Sequence, residues 1–301
     1  MRLLTGVVLG VVLLAAAAGV QAGPTRPPME VDLDLARNVV VGRLTRIDEP
    51  GVDRGDGVRW AQARVEVTEI LKGLPCRSID FRAVTFVASN WRGPTPLATH
   101  KVGDSGIWVL TESDGILSDT HFLPESRRQK ICEMLTMLSE RKWSTPVNGL
   151  QAWAGVVRPE DRNVPVIIFA VKNVTKQDLF IPIVQCADFV GATVVGVDGR
   201  TTEYSFGVVG RGSETVFSRR LPAGRTAYLH PELSCIDLVG RHNLPPGDYT
   251  VVIRCQNEKR GRISSGSSGK IKEVDAWTGS LKAPAIQFSC GPDETGVAQT
   301  R

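Results

Sequence analysis

The stretch Ala61-Gln62-Ala63-Arg64-Val65-Glu66-Val67-Thr68 alternates apolar with polar residues at a period of two. Successive side chains of a β-strand leave on opposite faces. The pattern therefore puts Ala61, Ala63, Val65 and Val67 on a buried face and Gln62, Arg64, Glu66 and Thr68 in water. Upstream, residues 38–47 (NVVVGRLTRI) read as another strand, separated from this one by a loop of Gly and Asp at 49–57. Downstream, the strand ends at Leu71-Lys72-Gly73, and a third strand turns Ile79, Phe81 and Ala83 inward. Residues 106–110 (GIWVL) pair with Gly115-Ile116-Leu117 across Ser113-Asp114-Gly115, whose Asp-Gly step favours a tight turn. A helix is expected over 125–143, because Ile131, Met134, Leu135 and Leu138 recur at helical spacing among charged neighbours. Strands followed by one amphipathic helix predict a small barrel closed on one side.

Beyond Ser144-Thr145-Pro146-Val147-Asn148-Gly149 the text changes to short Val, Ile and Thr runs between Gly, Pro and Asp turns. Strands are expected at 150–157, 164–171, 179–183, 192–197, 202–208, 214–219, 249–254 and 283–289, which is enough for a two-sheet sandwich. Residues 262–270 (RISSGSSGK) read as a flexible polar tract, and Trp277 as a core residue opening the last strand. The division is thus 1–22 signal peptide, 23–145 barrel with helix, 146–290 sandwich and 291–301 disordered tail. The fold class is mainly β.

The amino-terminal reading rests on Arg2, an uncharged apolar run at 7–18 and compact residues at Val20 and Ala22, the three parts of a secretory signal. No Cys stands near the cut, so a lipid-modified terminus is excluded. The mature protein is expected to be soluble, secreted or in the periplasm and cell envelope, with no membrane span left after cleavage. The six Cys residues, Cys76, Cys132, Cys186, Cys235, Cys255 and Cys290, are even in number and widely spaced, the pattern of disulfides in an oxidising compartment. The first choice is a Cys76–Cys132 bridge from barrel strand to helix; a buried free thiol is the alternative at each position. The net charge of +4 comes from interspersed signs, which argues against an obligate nucleic-acid binder.

With "NVVVGRLTRI … AQARVEVTEILKG", "GIWVL" and the closing helix, the first part resembles the netrin-module and tissue-inhibitor-of-metalloproteinase class of OB barrels. That class inhibits through an amino-terminal Cys that meets the target's zinc. The expected mature start at Gly23 has none, so the resemblance implies the scaffold and not the inhibition. From Val164, "VPVIIFAVKNVTKQDLFIPI … LPPGDYTVVIRC … WTGSLKAPAIQFSC" resembles immunoglobulin-like sandwich domains of bacterial envelope proteins, and also the bacillus-type proteinase inhibitor domain.

No GxSxG, HExxH or metal-ligand spacing of His and carboxylates occurs; His100, His121, His230 and His242 are scattered and expected in surface or loop positions. The site candidates are Trp91 and Arg92 in a loop, residue types that anchor interfaces, and the basic group Lys259, Arg260 and Arg262, with Lys270 and Lys272 beside it. Arg54-Gly55-Asp56 is read as turn chemistry, and Asn173-Val174-Thr175 as an exposed glycosylation acceptor. No cofactor is implied. The leading expectation is an exported, non-enzymatic binding or adhesion protein whose partner is a protein or envelope polymer. A secreted protease inhibitor, or a hydrolase whose site assembles only in three dimensions, are the alternatives.

Overall fold

Ala63 and Val65 have no exposed surface, and with Ala61 they face the inside of a closed five-stranded barrel. The computed structural model describes residues 28–48, 58–87, 99–113, 115–157, 165–182, 189–206, 215–229, 233–234, 246–265 and 270–291. The expected signal peptide, the Arg54-Gly55-Asp56 loop and the tail from 292 lie outside the described residues. The barrel strands are β1 (Ala36–Ile47), β2 (Val58–Lys72), β3 (Ser78–Val87), β4 (Ser105–Ser113) and β5 (Ile116–Leu123), ordered β1-β2-β3-β5-β4. All neighbours are antiparallel except β3 and β5, which close the barrel in parallel at Arg82 and Ser118. Register breaks along β1 supply the curvature a closed barrel needs. At Gly42 the walls come so close that a Cβ would stand 2.4 Å from the Glu66 carbonyl oxygen. Trp108 fills the interior without exposed surface, packed on Phe122 (4.4 Å), His100 (4.9 Å) and Phe81 (5.4 Å), while its Nε1 donates to the Gly42 carbonyl at 3.1 Å.

The β4–β5 hairpin forms where Asp114-Gly115 predicts it, with Gly115 at φ +77. The expected helix is a single 3-10 turn, Glu125–Arg127, followed by α2 (Arg128–Glu140), with Ile131 and Leu138 buried. It stops three residues short of the expected end because Arg141 turns to an extended conformation (ψ 138). A helix the sequence reading lacks, α1 (Met29–Leu35), precedes β1. Its Glu30 and Asp32 suit the positive end of the helix dipole. At the other end, Lys72 Nζ donates to the carbonyls of Leu33 (2.8 Å) and Asp34 (2.7 Å), serving as a cationic cap.

The second lobe contains β6 (Leu150–Val157), β7 (Val166–Asn173), β8 (Leu179–Pro182), β9 (Val190–Gly196), β10 (Thr201–Phe206), β11 (Thr215–Leu221), β12 (Thr226–Tyr228), β13 (Leu233–Ser234), β14 (Gly247–Asn257), β15 (Arg260–Ser265), β16 (Lys270–Val274), β17 (Gly279–Lys282) and β18 (Ile286–Cys290). They form three hydrogen-bonded sheets. One runs β10-β9-β14-β17 with β18 also on β14, one runs β16-β15-β11-β8, and in the third β7 pairs with β6, β12 and β13. The eight expected strands are all present within a few residues of their expected limits; β12, β13 and β15 to β17 are additional. Residues 262–265, expected to be a flexible tract, are the end of β15, because Ile263 and Ser264 pair with Lys272 and Ile271 of β16. Trp277 is buried as expected, its Nε1 donating to the Val147 carbonyl at 3.0 Å.

The two lobes share a core. Val39 and Val41 of β1 and Ile107 and Val109 of β4 point out of the barrel. With Ile131 and Leu138 of α2 and Val31 and Leu33 of α1 they pack on Trp153, Val166, Ile168 and Ala170 of β6 and β7. Each of β1, β4 and β7 is therefore apolar on both faces: β7 sends Ile167, Phe169 and Val171 into its own lobe and the intervening residues into the seam.

Three expectations are corrected. Cys76 and Cys132 are both free thiols rather than a bridge: Cys76 packs toward the barrel interior at the β2–β3 turn, whereas Cys132 lies on α2 outside the barrel wall. Cys255 is also free and fully buried in the second lobe, where loss of water pushes its thiol up to about 12. Cys186 and Cys235 lie outside the described residues, as does the side chain of Cys290. Asn173 is not an exposed acceptor but wholly buried. Its Nδ2 donates to the carbonyls of Gln177 (2.7 Å) and Leu221 (3.0 Å), and its Oδ1 accepts from Thr175. Finally, His100 and His121 are buried and paired with Asp119 and Asp32. The bulge of β5 between Asp119 and His121 makes both pairs possible, since it turns Asp119 toward the barrel interior with Phe122 and His121 outward to α1.

Candidate functional site

Where α2 ends against the seam, Ile70, Leu71 and Lys72 of β2, Asp34 of α1, Lys172 of β7 and the segment from Cys132 to Trp143 enclose an open groove of about 680 Å³. Its charged end is organised by Asp34. The Asp34 Oδ2 lies 2.8 Å from Arg141 Nη1 and accepts the Tyr228 hydroxyl at 2.9 Å; Arg141 Nη1 also reaches that hydroxyl at 3.4 Å. Arg141 and Asp34 keep only 12% and 10% of their side-chain surface, so this ion pair works where water screens it little. The Arg141 guanidinium stacks over Trp143 at 4.6 Å and Trp153 at 5.4 Å, and Lys172 Nζ stands 5.8 Å from the Trp143 ring.

Burial, with Asp34 beside it, drives the Tyr228 hydroxyl far above its ordinary range, so it keeps its proton, donates to the carboxylate and accepts from Arg141. Burial pulls Lys72 below its ordinary value; the Asp34 charge opposes that and Arg141 adds to it. Lys72, Arg141 and Lys172 thus face one carboxylate, and the groove carries surplus positive charge. Along the remainder of the groove the hydroxyls of Thr136 and Ser139 donate back to the carbonyls of Cys132 (2.9 Å) and Thr136 (2.8 Å) of their own helix, leaving Leu71, Leu135 and Leu138 as an apolar wall.

The site candidates from the sequence fall elsewhere. Trp91 and Arg92 lie outside the described residues. Lys259 and Arg260 are exposed at the start of β15, where Asn257 fixes the turn by accepting from the Lys259 N–H and donating to its carbonyl. Arg260 and Arg262 share one face of β15 with Glu273 opposite, while Lys272 pairs with Ile263 on the other face. The basic group is therefore split between two faces, and Lys259, Arg260 and Arg262 do not line the groove. Among the described residues, no three or more His, Cys, Asp or Glu side chains are placed to hold a metal ion. Nor is any described helix long and apolar enough to cross a membrane.

Lys72, Arg141, Trp143 and Lys172 were not legible as a site, because they come from three elements and are joined only by the seam. The nearest signal is Arg141-Lys142-Trp143 directly after the apolar stripe of the helix. Compared with known proteins, the chain matches no family model, no curated protein and no solved structure.

Proposed function

We propose that this is an exported, non-enzymatic binding protein whose ligand sits in the groove between the lobes. Export rests on the leader at 1–22. The first lobe is assigned to the OB class, a reading supported by five strands in the order β1-β2-β3-β5-β4 around an aromatic interior. The second is assigned to the immunoglobulin-like sandwiches, supported by the β7 and β9–β14 sheets packed face to face over one core. The observation that carries the binding role is the shared core: it fixes the two lobes against each other and holds a preformed, charged and aromatic groove at its edge. Pockets of this kind characteristically lie between domains.

A thermal-shift screen of the secreted chain against chemically diverse small molecules and envelope polymers tests this, with every hit examined for product formation. Stabilisation without turnover, together with slower alkylation of Cys132 in the groove, is the expected result. Product formation would end the non-enzymatic reading. Hits that leave Cys132 equally reactive would move the site elsewhere.

A further inference from the structure

The groove separates its polar donors from its apolar wall, and that separation describes a ligand. Its length along α2 from Cys132 to Ser139 is about 10 Å at 1.5 Å per residue. The cations gather at one end: Lys72 caps α1 next to Asp34, Arg141 binds Asp34, and Arg141 and Lys172 share the Trp143 ring. Each keeps donors in reserve. Lys72 uses two of its three N–H bonds on the α1 carbonyls, Arg141 donates through Nη1 alone, and Lys172 has no hydrogen-bond or ion-pair partner among the described residues. Toward Cys132, the hydroxyls spend their protons on helix carbonyls and the wall is Leu71, Leu135 and Leu138.

Resting on the binding role given above, we infer that the groove takes an amphiphilic anion, with a carboxylate or phosphate headgroup between Lys172, Arg141 and Lys72 and an aliphatic chain along α2. An anion satisfies the reserve donors and offsets the surplus charge, while the chain displaces water from the leucine wall. A cationic headgroup would meet like charges, and a neutral polar ligand would leave the leucine wall without an apolar partner.

The test uses the full secreted chain and five probes below micelle-forming concentration: octanoate, octyl phosphate, octyltrimethylammonium, octanol and inorganic phosphate. Calorimetry measures affinity. The alkylation rate of Cys132 reports occupancy, with Cys76, which is outside the groove, as reference in the same digest. Octanoate and octyl phosphate are expected to bind and to slow Cys132 alone, the tighter of the two naming the headgroup. The other three are expected to leave Cys132 unprotected. Lys172→Glu is expected to weaken the anionic amphiphiles roughly tenfold or more, with Lys172→Arg retaining them. Equal protection by octanol or octyltrimethylammonium would overturn the anionic assignment while leaving the groove as the binding site. Absence of Cys132 protection by all five would remove both.

Discussion

Inside the barrel, His100 and Asp119 form a buried pair 2.7 Å apart, closed in by Trp108 and Phe122; at the seam, Asp34, Arg141 and Tyr228 form another at the mouth of an open groove. The barrel pair is enclosed and imperfectly satisfied, with His100 Nδ1 and Asp119 Oδ1 lacking hydrogen-bond partners among the described residues. At the seam Asp34 Oδ2 is met by both Arg141 and Tyr228, and Arg141, Lys72 and Lys172 still have donors turned to no other group. A polar cluster sealed among rings serves the packing of its lobe, whereas one at the edge of a shared core can meet a ligand. That difference is what favours the proposed ligand site between the lobes over one within either.

The largest effect should come from the barrel. Trp108→Ala removes a side chain with no exposed surface and three ring contacts, and is expected to cost about 4 kcal/mol in denaturant unfolding. At the seam, Asp34→Ala leaves the nearly buried Arg141 without its counter-charge, an expected loss of about 3 kcal/mol. Tyr228→Phe keeps that ion pair and removes the hydroxyl's bond to Asp34 and its long contact from Arg141, an expected loss of about 1 kcal/mol. If Tyr228→Phe cost as much as Asp34→Ala, the ion pair would not be what organises the seam.

Cys255 sharpens the contrast from the second lobe. Its thiol is neutral in the fold up to about pH 12, above its ordinary value of 9. Below about pH 9 both folded and unfolded chains hold the proton and nothing is lost. As pH rises through the window from 9 to 12, the unfolded chain releases it first and stability falls. Wild type should therefore lose more stability than Cys255→Ala across that window, measured by urea midpoints at each pH. In the native protein iodoacetamide should modify Cys76 and Cys132 but reach Cys255 only on unfolding. The smallest effect belongs to the barrel surface: Asp80, whose carboxyl is held below its ordinary range by the Arg64 guanidinium, is exposed, and Asp80→Asn should leave the melting temperature unchanged.

How much of this was legible follows the same division. The barrel strands and α2 could be read because each has one wet face, as in Ala61 to Thr68, and alternation records it. The seam left a different record. Val39-Val40-Val41, Ile107-Trp108-Val109-Leu110 and the apolar run from Val166 to Val171 do not alternate, because both faces of these strands are covered. Such runs identify buried strands without saying what covers them. The helix α1 was hidden because Val31 and Leu33, two residues apart, resemble a strand pattern. The short strands β12 and β13 have too few residues to show any period. The groove was least legible of all, since Asp34 and Tyr228 stand 194 residues apart.

The shared core is the claim on which the groove depends, and scanning calorimetry of the full chain tests it most directly. The account predicts one unfolding transition for both lobes, lowered as a unit by Asp34→Ala. Two transitions in wild type, with only one moved by that substitution, would show lobes that fold independently and would contradict it.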